Sequence, residues 1–411
     1  MYRKQSKFPP VLFILCFALI CCSARPTPLL SQDLIPQLID ELASRQFSTR
    51  QRAMATLIQL GPDVVPQLEE AMTNGNRELR LRAQLVLEAL TLHPQQMEAF
   101  IQSGEKAALP QVARPAWDGF KQLAGTTSTA RRLFVLMCKA EPELMLNLDR
   151  PVSITSRSIT KRCKELQQVF RTYKRDGFPL GTVAALLFSG GINGVKVDEA
   201  TVKTIYWVCN YNPFRNEMYT RNPNGTSQYR RTPRSNILRQ LFAVWMKHGG
   251  SSDAQFGFNL AMQYDIKQCL PRAIDLVRAK DTPCHVAQMA LVAITRFGTL
   301  VNLRDLETRI DDKSFCGAQE RVGQKLHQTQ LRDIALAGAL LIADENPRNY
   351  GFTRISFIFF QPLGIDQQLD CSTVGFTSDE ERVAPRKKYE QFRATLTLPE
   401  TDTSTRLPQL P

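Results

Sequence analysis

The stretch from Ser48 to Leu92 constrains this chain most, because its apolar residues recur at helical spacing and its breaks leave almost no room for linkers. Ala53, Leu57 and Leu60 fall on one face and stop at Gly61-Pro62. Val64, Val65, Leu68 and Met72 make the next stripe, which ends at Asn74-Gly75. Leu81, Leu85, Val86 and Ala89 make a third. The spacing predicts three consecutive helices, with Gln32 to Leu42 supplying a fourth that pairs with the first. No single stripe forms a core alone, so neighbouring helices must stack. Leu57, Leu60, Leu68, Leu81 and Leu85 are therefore expected inside, and Arg50, Glu69, Glu70 and Arg77 in water.

The same residues carry a family likeness. Arg52-Ala53, Leu57, Leu60-Gly61, Pro66, Leu68 and Leu81-Arg82-Ala83 resemble the HEAT/armadillo-type helical repeat, and more narrowly the HEAT-like proteins that many bacteria export. In such repeats a small Ala lets helices approach, Gly closes one helix and Pro starts its partner. A looser echo returns at Val286-Ala287, Ala290-Leu291, Phe297-Gly298 and Leu331-Arg332-Asp333. The segment from Arg114 to Met145 also resembles the region C-terminal to the repeats in the exported group, and its Trp117, Phe120, Leu133, Phe134 and Leu136 are expected in the core. The resemblance implies an all-α fold, a HEAT/armadillo-like α-solenoid with a less regular helical middle region. It implies a scaffold without shared catalytic residues, so it transfers architecture and not chemistry.

A chain of 411 residues with 43% hydrophobic content has enough apolar surface for a large core. Its net charge of +13 is unevenly placed. Residues 1–24 carry +3, 25–104 carry −2, 105–248 carry +13 and 249–411 carry −1. This division matches the expected organisation. Residues 1–24 are a signal peptide or anchor, 25–104 the N-terminal repeats and 105–248 a basic helical middle. A second helical-repeat region spans 249–393, and 394–411 form a disordered tail. In the leader, Arg3, Lys4 and Lys7 precede an apolar run from Val11 to Cys22 that is shorter than the roughly 20 residues a membrane span needs. Cleavage after Ala24, retention as an anchor, and lipidation at Cys22 all remain open. Each leads to an exported, extracytoplasmic protein that touches the membrane only through this segment.

Beyond the leader stand Cys138, Cys163, Cys209, Cys269, Cys284, Cys316 and Cys371, an odd number that leaves at least one thiol free or paired between molecules. Cys138 in LFVLMCKA and Cys209 in IYWVCN lie on apolar faces, where cysteine serves as a small buried hydrophobe. Cys269, Cys284, His285 and Cys316 form the one Cys/His grouping, but zinc sites want paired ligands at short spacing. Buried cysteines beside a surface histidine are expected, and no metal or cofactor. Ser158-Ile-Thr-Lys161 fits the S-x-x-K pattern of serine enzymes that recognise penicillin, yet Ser103-Gly-Glu-Lys106 fits it equally and the companion S-D-N and K-T-G motifs are missing. A basic solvated helix explains it better, and no enzyme is expected. Gly190, Gly191 and Gly194 lack the Lys-Ser/Thr of a phosphate loop and read as a turn.

One irregular stretch, residues 210–234, interleaves arginine with tyrosine. Arg215, Arg221, Arg230, Arg231, Arg234 and Arg239 surround Tyr219 and Tyr229, against the lone Glu217. Guanidinium forks suit phosphates and carboxylates, and tyrosine stacks on bases or sugars. These eight residues are the candidate binding set; a plain solvated loop is the competing explanation. The expected function is an exported, non-enzymatic scaffold holding a protein partner on its concave helical face. The alternative is a binder of an anionic envelope polymer or of nucleic acid through the basic middle, the latter weakened by export.

Overall fold

The computed structural model describes residues 34–60, 64–91, 94–103, 109, 113–146, 148, 151–170, 177–221, 227–248, 254–359 and 367–399. The expected leader 1–24, the part of the expected tail beyond 399 and residues 222–226 of the arginine-rich stretch lie outside them. The fold is predominantly helical. Residues 48–92 form three helices, as their periodicity predicts: α2 (Phe47–Leu60), α3 (Val65–Asn74) and α4 (Arg77–Thr91), with α1 (Leu34–Leu42) packed on α2. Leu42, Leu57, Leu68, Ala83 and Val86 make a small core distinct from that of the rest of the chain.

The register of α4 differs from expectation. Leu81 and Leu85 are 54% and 40% exposed, while Ala83, Val86, Leu87 and Leu90 point inward, with half-buried Leu79 packed against them. α4 carries leucine on two faces, and only the face following Leu79 by 4, 7, 8 and 11 residues meets α1, α2 and α3. Leu60 is half-buried, and Arg50 is drawn partly inside by donating to the Ser44 carbonyl at 2.8 Å.

The larger core begins with α5 (Pro94–Ser103), α6 (Arg114–Ala124), α7 (Ser128–Ala140) and α8 (Pro142–Leu146). Thr127 caps α7 by accepting from the Ala130 N–H at 3.2 Å. Phe100, Trp117, Phe120 and Phe134 stack edge-on or tilted between these helices, whereas Leu136, expected in this core, is 40% exposed. α9 (Val152–Phe170) leads to α10 (Leu180–Gly190), whose residues from Gly181 onward are all buried. A helix apolar on every side must be central. It lies between α7 and α13 (Pro233–His248), and glycine makes both approaches feasible: Gly181 faces the Leu136 carbonyl, and a Cβ on Gly190 would stand 2.6 Å from the Trp245 ring.

Past α10 come α11 (Glu199–Cys209), capped by Asp198, and α12 (Asn212–Met218). The expectation of an irregular stretch fails over 212–221 and 227–229: α12 leads into β1 (Tyr219–Arg221), which pairs with β2 (Ser227–Tyr229), with Tyr219 opposite Tyr229. After α13 come α14 (Ala254–Gln263), α15 (Leu270–Arg278), α16 (Cys284–Phe297) and α17 (Leu303–Glu307).

A strictly all-α chain is not what forms beyond α17. β3 (Phe315–Val322) and β4 (Lys325–Gln330) make a second hairpin ahead of α18 (Leu331–Ile342). β5 (Phe357–Phe359), in the strand-like RISFIFFQ, pairs with β6 (Gln367–Leu369). α19 (Asp379–Thr395) starts six residues before Pro385, since Ser378 caps it and Asp379, Glu380 and Glu381 favour the positive end of its dipole. The buried Arg382 clamps it to α18, with Nε 2.9 Å from Asp333 Oδ1. Among the described residues no helix is long and apolar enough to cross a membrane.

Candidate ligand-binding site

The arginine-rich stretch folds largely onto itself. Arg239 is wholly buried on α13 and meets no carboxylate among the described residues; its Nη1 donates to Ser235 Oγ at 3.0 Å and its Nη2 to the Met218 carbonyl at 3.2 Å. Burial, with Arg231 nearby, lowers its pKa to about 10. Arg231 pairs with Asp265 and lies over the Tyr229 ring, 5.6 Å from its centroid. Arg234 pairs with Glu217. Arg215 lies 5.5 Å from the centroid of Tyr219, a tyrosine 7% exposed whose pKa burial raises. Arg230 is half-buried, its main-chain N–H donating to the Met218 carbonyl at 2.8 Å. Tyr229 accepts from Arg296 Nη2 at 3.2 Å. The Arg221 main chain belongs to β1, paired with Ser227. The structure thus gathers the eight residues around one hairpin, but it turns Arg239 inward and gives Arg231 and Arg234 their own anions.

A groove of about 740 Å³ lies between α11 and α14, with Gln167 of α9 also in its lining. The local sequence explains it. Ala200, Lys203, Thr204 and Trp207 recur every three or four residues and so share one face of α11, continued by Asn210. Phe256, Asn259, Leu260 and Gln263 do the same on α14. Gly257 lets the helices close, since a Cβ there would stand 2.8 Å from the Tyr206 hydroxyl.

The Trp207 ring is held edge-on by Tyr211, with centroids 5.0 Å apart, and by Phe178 at 5.7 Å. Phe256 is 47% exposed across from it. Tyr264, one residue beyond α14, donates its hydroxyl to the Cys209 carbonyl and to Asn210 Oδ1, each at 3.3 Å, which leaves the Asn210 N–H2 end for other partners. The side chains of Asn259 and Gln263 make no hydrogen bond among the described residues. Gln167 donates to Thr204 Oγ1, and Lys203 pairs with Glu199. The lining is therefore aromatic and amide, with its one charge compensated.

Sequence patterns do not announce this groove, because Trp207 sits in an apolar run and glutamine and asparagine carry no motif. The spacing of Phe256, Asn259 and Gln263 along one helical face is the available signal.

The remaining motifs resolve as structure. Lys161 holds both Glu143 oxygens at 3.1 Å, so its ammonium serves an ion pair rather than Ser158. Cys284 and Cys316, expected as buried hydrophobes, form a disulfide with Cα atoms 5.5 Å apart, joining the start of α16 to β3. Cys269 is buried, its thiol pKa raised by burial, and its sulfur lies 3.2 Å from that of Met246. Among the described residues no three His, Cys, Asp or Glu side chains converge as metal ligands do. No protein-family model matches the chain, and a search of curated proteins finds no match.

Proposed function

We propose that the protein is an exported, non-enzymatic helical binding protein, a HEAT-like solenoid at its N-terminus, whose recognition surface is the groove between α11 and α14. The observation that carries this reading is the lining itself, where Trp207 and Phe256 share one groove with a set of amide side chains. At about 740 Å³ the groove falls within the size range of small-ligand sites. A stable protein interface instead buries about 800 Å² on each partner. Amides hold no proton that moves at neutral pH, so the chemistry offered is recognition. Export is supported by the leader-like residues 1–24 and by the Cys284–Cys316 bond, a linkage that persists in oxidising compartments.

A second reading keeps the protein partner. It is favoured by Leu81 and Leu85, exposed one turn apart on α4 and flanked by charged side chains.

Tryptophan emission tests the first reading, because Trp117 and Trp245 are 3% and 1% exposed while Trp207 borders the groove. Size-fractionated envelope extract is titrated into the wild type and into Phe256→Asp. A low-mass fraction is expected to shift emission in the wild type alone. No shift from any fraction, or chemical consumption of the active component, would overturn the proposal.

A further inference from the structure

We infer that the groove between α11 and α14 takes an uncharged saccharide, one pyranose ring lying against Trp207; this rests on the groove being the recognition surface. Charge is the first argument. Among the described residues that line the groove, Lys203 is the one ionic side chain, and it pairs with Glu199. A cationic ligand would lose its hydration and find no carboxylate in that lining, and an anionic one would have to compete with Glu199 for Lys203.

Hydrogen-bonding capacity is the second. Asn259 and Gln263 are half-buried, and each amide offers two donors and two acceptor lone pairs. A sugar hydroxyl likewise donates one bond and accepts others, so vicinal hydroxyls match a row of amides. A wholly apolar ligand such as an acyl chain would strip water from those amides and return nothing.

Shape is the third. Phe178 and Tyr211 pack edge-on against Trp207 and fix its ring before any ligand arrives. The C–H face of a pyranose is apolar and its rim is polar, which matches a rigid aromatic floor with amides along the side. Asn259 and Gln263, one turn apart on α14, then reach hydroxyls of one ring or of two adjoining rings.

The full mature chain is titrated with chitotetraose, cellotetraose and maltotetraose, with an alginate tetramer, adenosine and decanoate as the charged, base and acyl comparisons; Trp207 emission is followed at low and high salt. At least one uncharged tetrasaccharide is expected to shift the emission saturably, with an affinity that salt leaves unchanged. Asn259→Ala and Gln263→Ala should each weaken it about tenfold, equivalent to about 1.4 kcal/mol. Thermal unfolding of every variant separates lost binding from lost folding. If only alginate, adenosine or decanoate acts, and acts through Trp207, the saccharide assignment falls while the groove remains the binding surface. If no probe and no extract fraction depends on Phe256, both fall.

Discussion

Arg239 Nε donates to the main-chain carbonyl of Tyr264 at 3.3 Å, inside the protein and, among the described residues, without a carboxylate in contact. With its bonds to Ser235 and Met218, this guanidinium ties α13 to the end of α14 and to the start of the hairpin. The most basic stretch of the sequence is thus anchored by an arginine that solvent never meets.

Removing that anchor should be expensive. Arg239→Ala leaves the Tyr264 carbonyl unmatched, leaves the Met218 carbonyl with the Arg230 N–H alone and opens a cavity, for an expected loss of about 3 kcal/mol or more. Arg231 is 52% exposed, and Arg231→Ser should cost clearly less than Arg239→Ala, because water already reaches the guanidinium end of its pair with the buried Asp265. Urea denaturation of both variants checks the contrast. Equal losses would mean that Arg239 is not the anchor.

Two leucines of the N-terminal helices should behave oppositely. Leu57 is 0% exposed, and Leu57→Ala should destabilise by roughly 2–5 kcal/mol. Leu81 is 54% exposed, and Leu81→Ala should change stability by no more than about 0.5 kcal/mol. A large loss at Leu81 in the purified protein would restore the register that the leucine spacing predicts.

The Cys284–Cys316 bond closes a sequence separation of 32 residues, for which the chain-entropy relation gives roughly 3–4 kcal/mol. Thermal unfolding of the wild type should move down on adding reductant. The Cys284→Ser, Cys316→Ser double variant should start lower and ignore reductant. A wild-type transition that reductant leaves in place counts against the bond.

Stability should also respond to His327. Burial, and then the positive charge of Arg354, hold its pKa below the ordinary 6.5, while Glu381 and Glu320 oppose them. The unfolded chain therefore takes this proton at a higher pH than the folded one. The contribution is fully present above the unfolded value of 6.5 and is lost as pH falls through the depressed folded value. Melting temperature against pH, compared with His327→Gln, reads this directly. The variant should decline less between about pH 7 and pH 5; parallel curves would contradict it.

The sequence by itself determined the helices. Leu57, Leu68 and Val65 are inside because a stripe at 3.6-residue spacing has one way to be buried, and caps such as Thr127 and Asp198 act within one turn. What only the tertiary structure decided depends on neighbours distant in sequence. α4 offers leucine on two faces, and the packing of α1, α2 and α3 chose between them. Arg239 resembles its exposed neighbours until Tyr264, twenty-five residues away, supplies a carbonyl. Cys284 pairs with Cys316 only after β3 has turned back to α16, and Trp207 meets Asn259 across a groove that exists only once α11 and α14 lie side by side. Local spacing sets which face of a helix is apolar; which long-range partner covers that face is set by the packing of the whole chain.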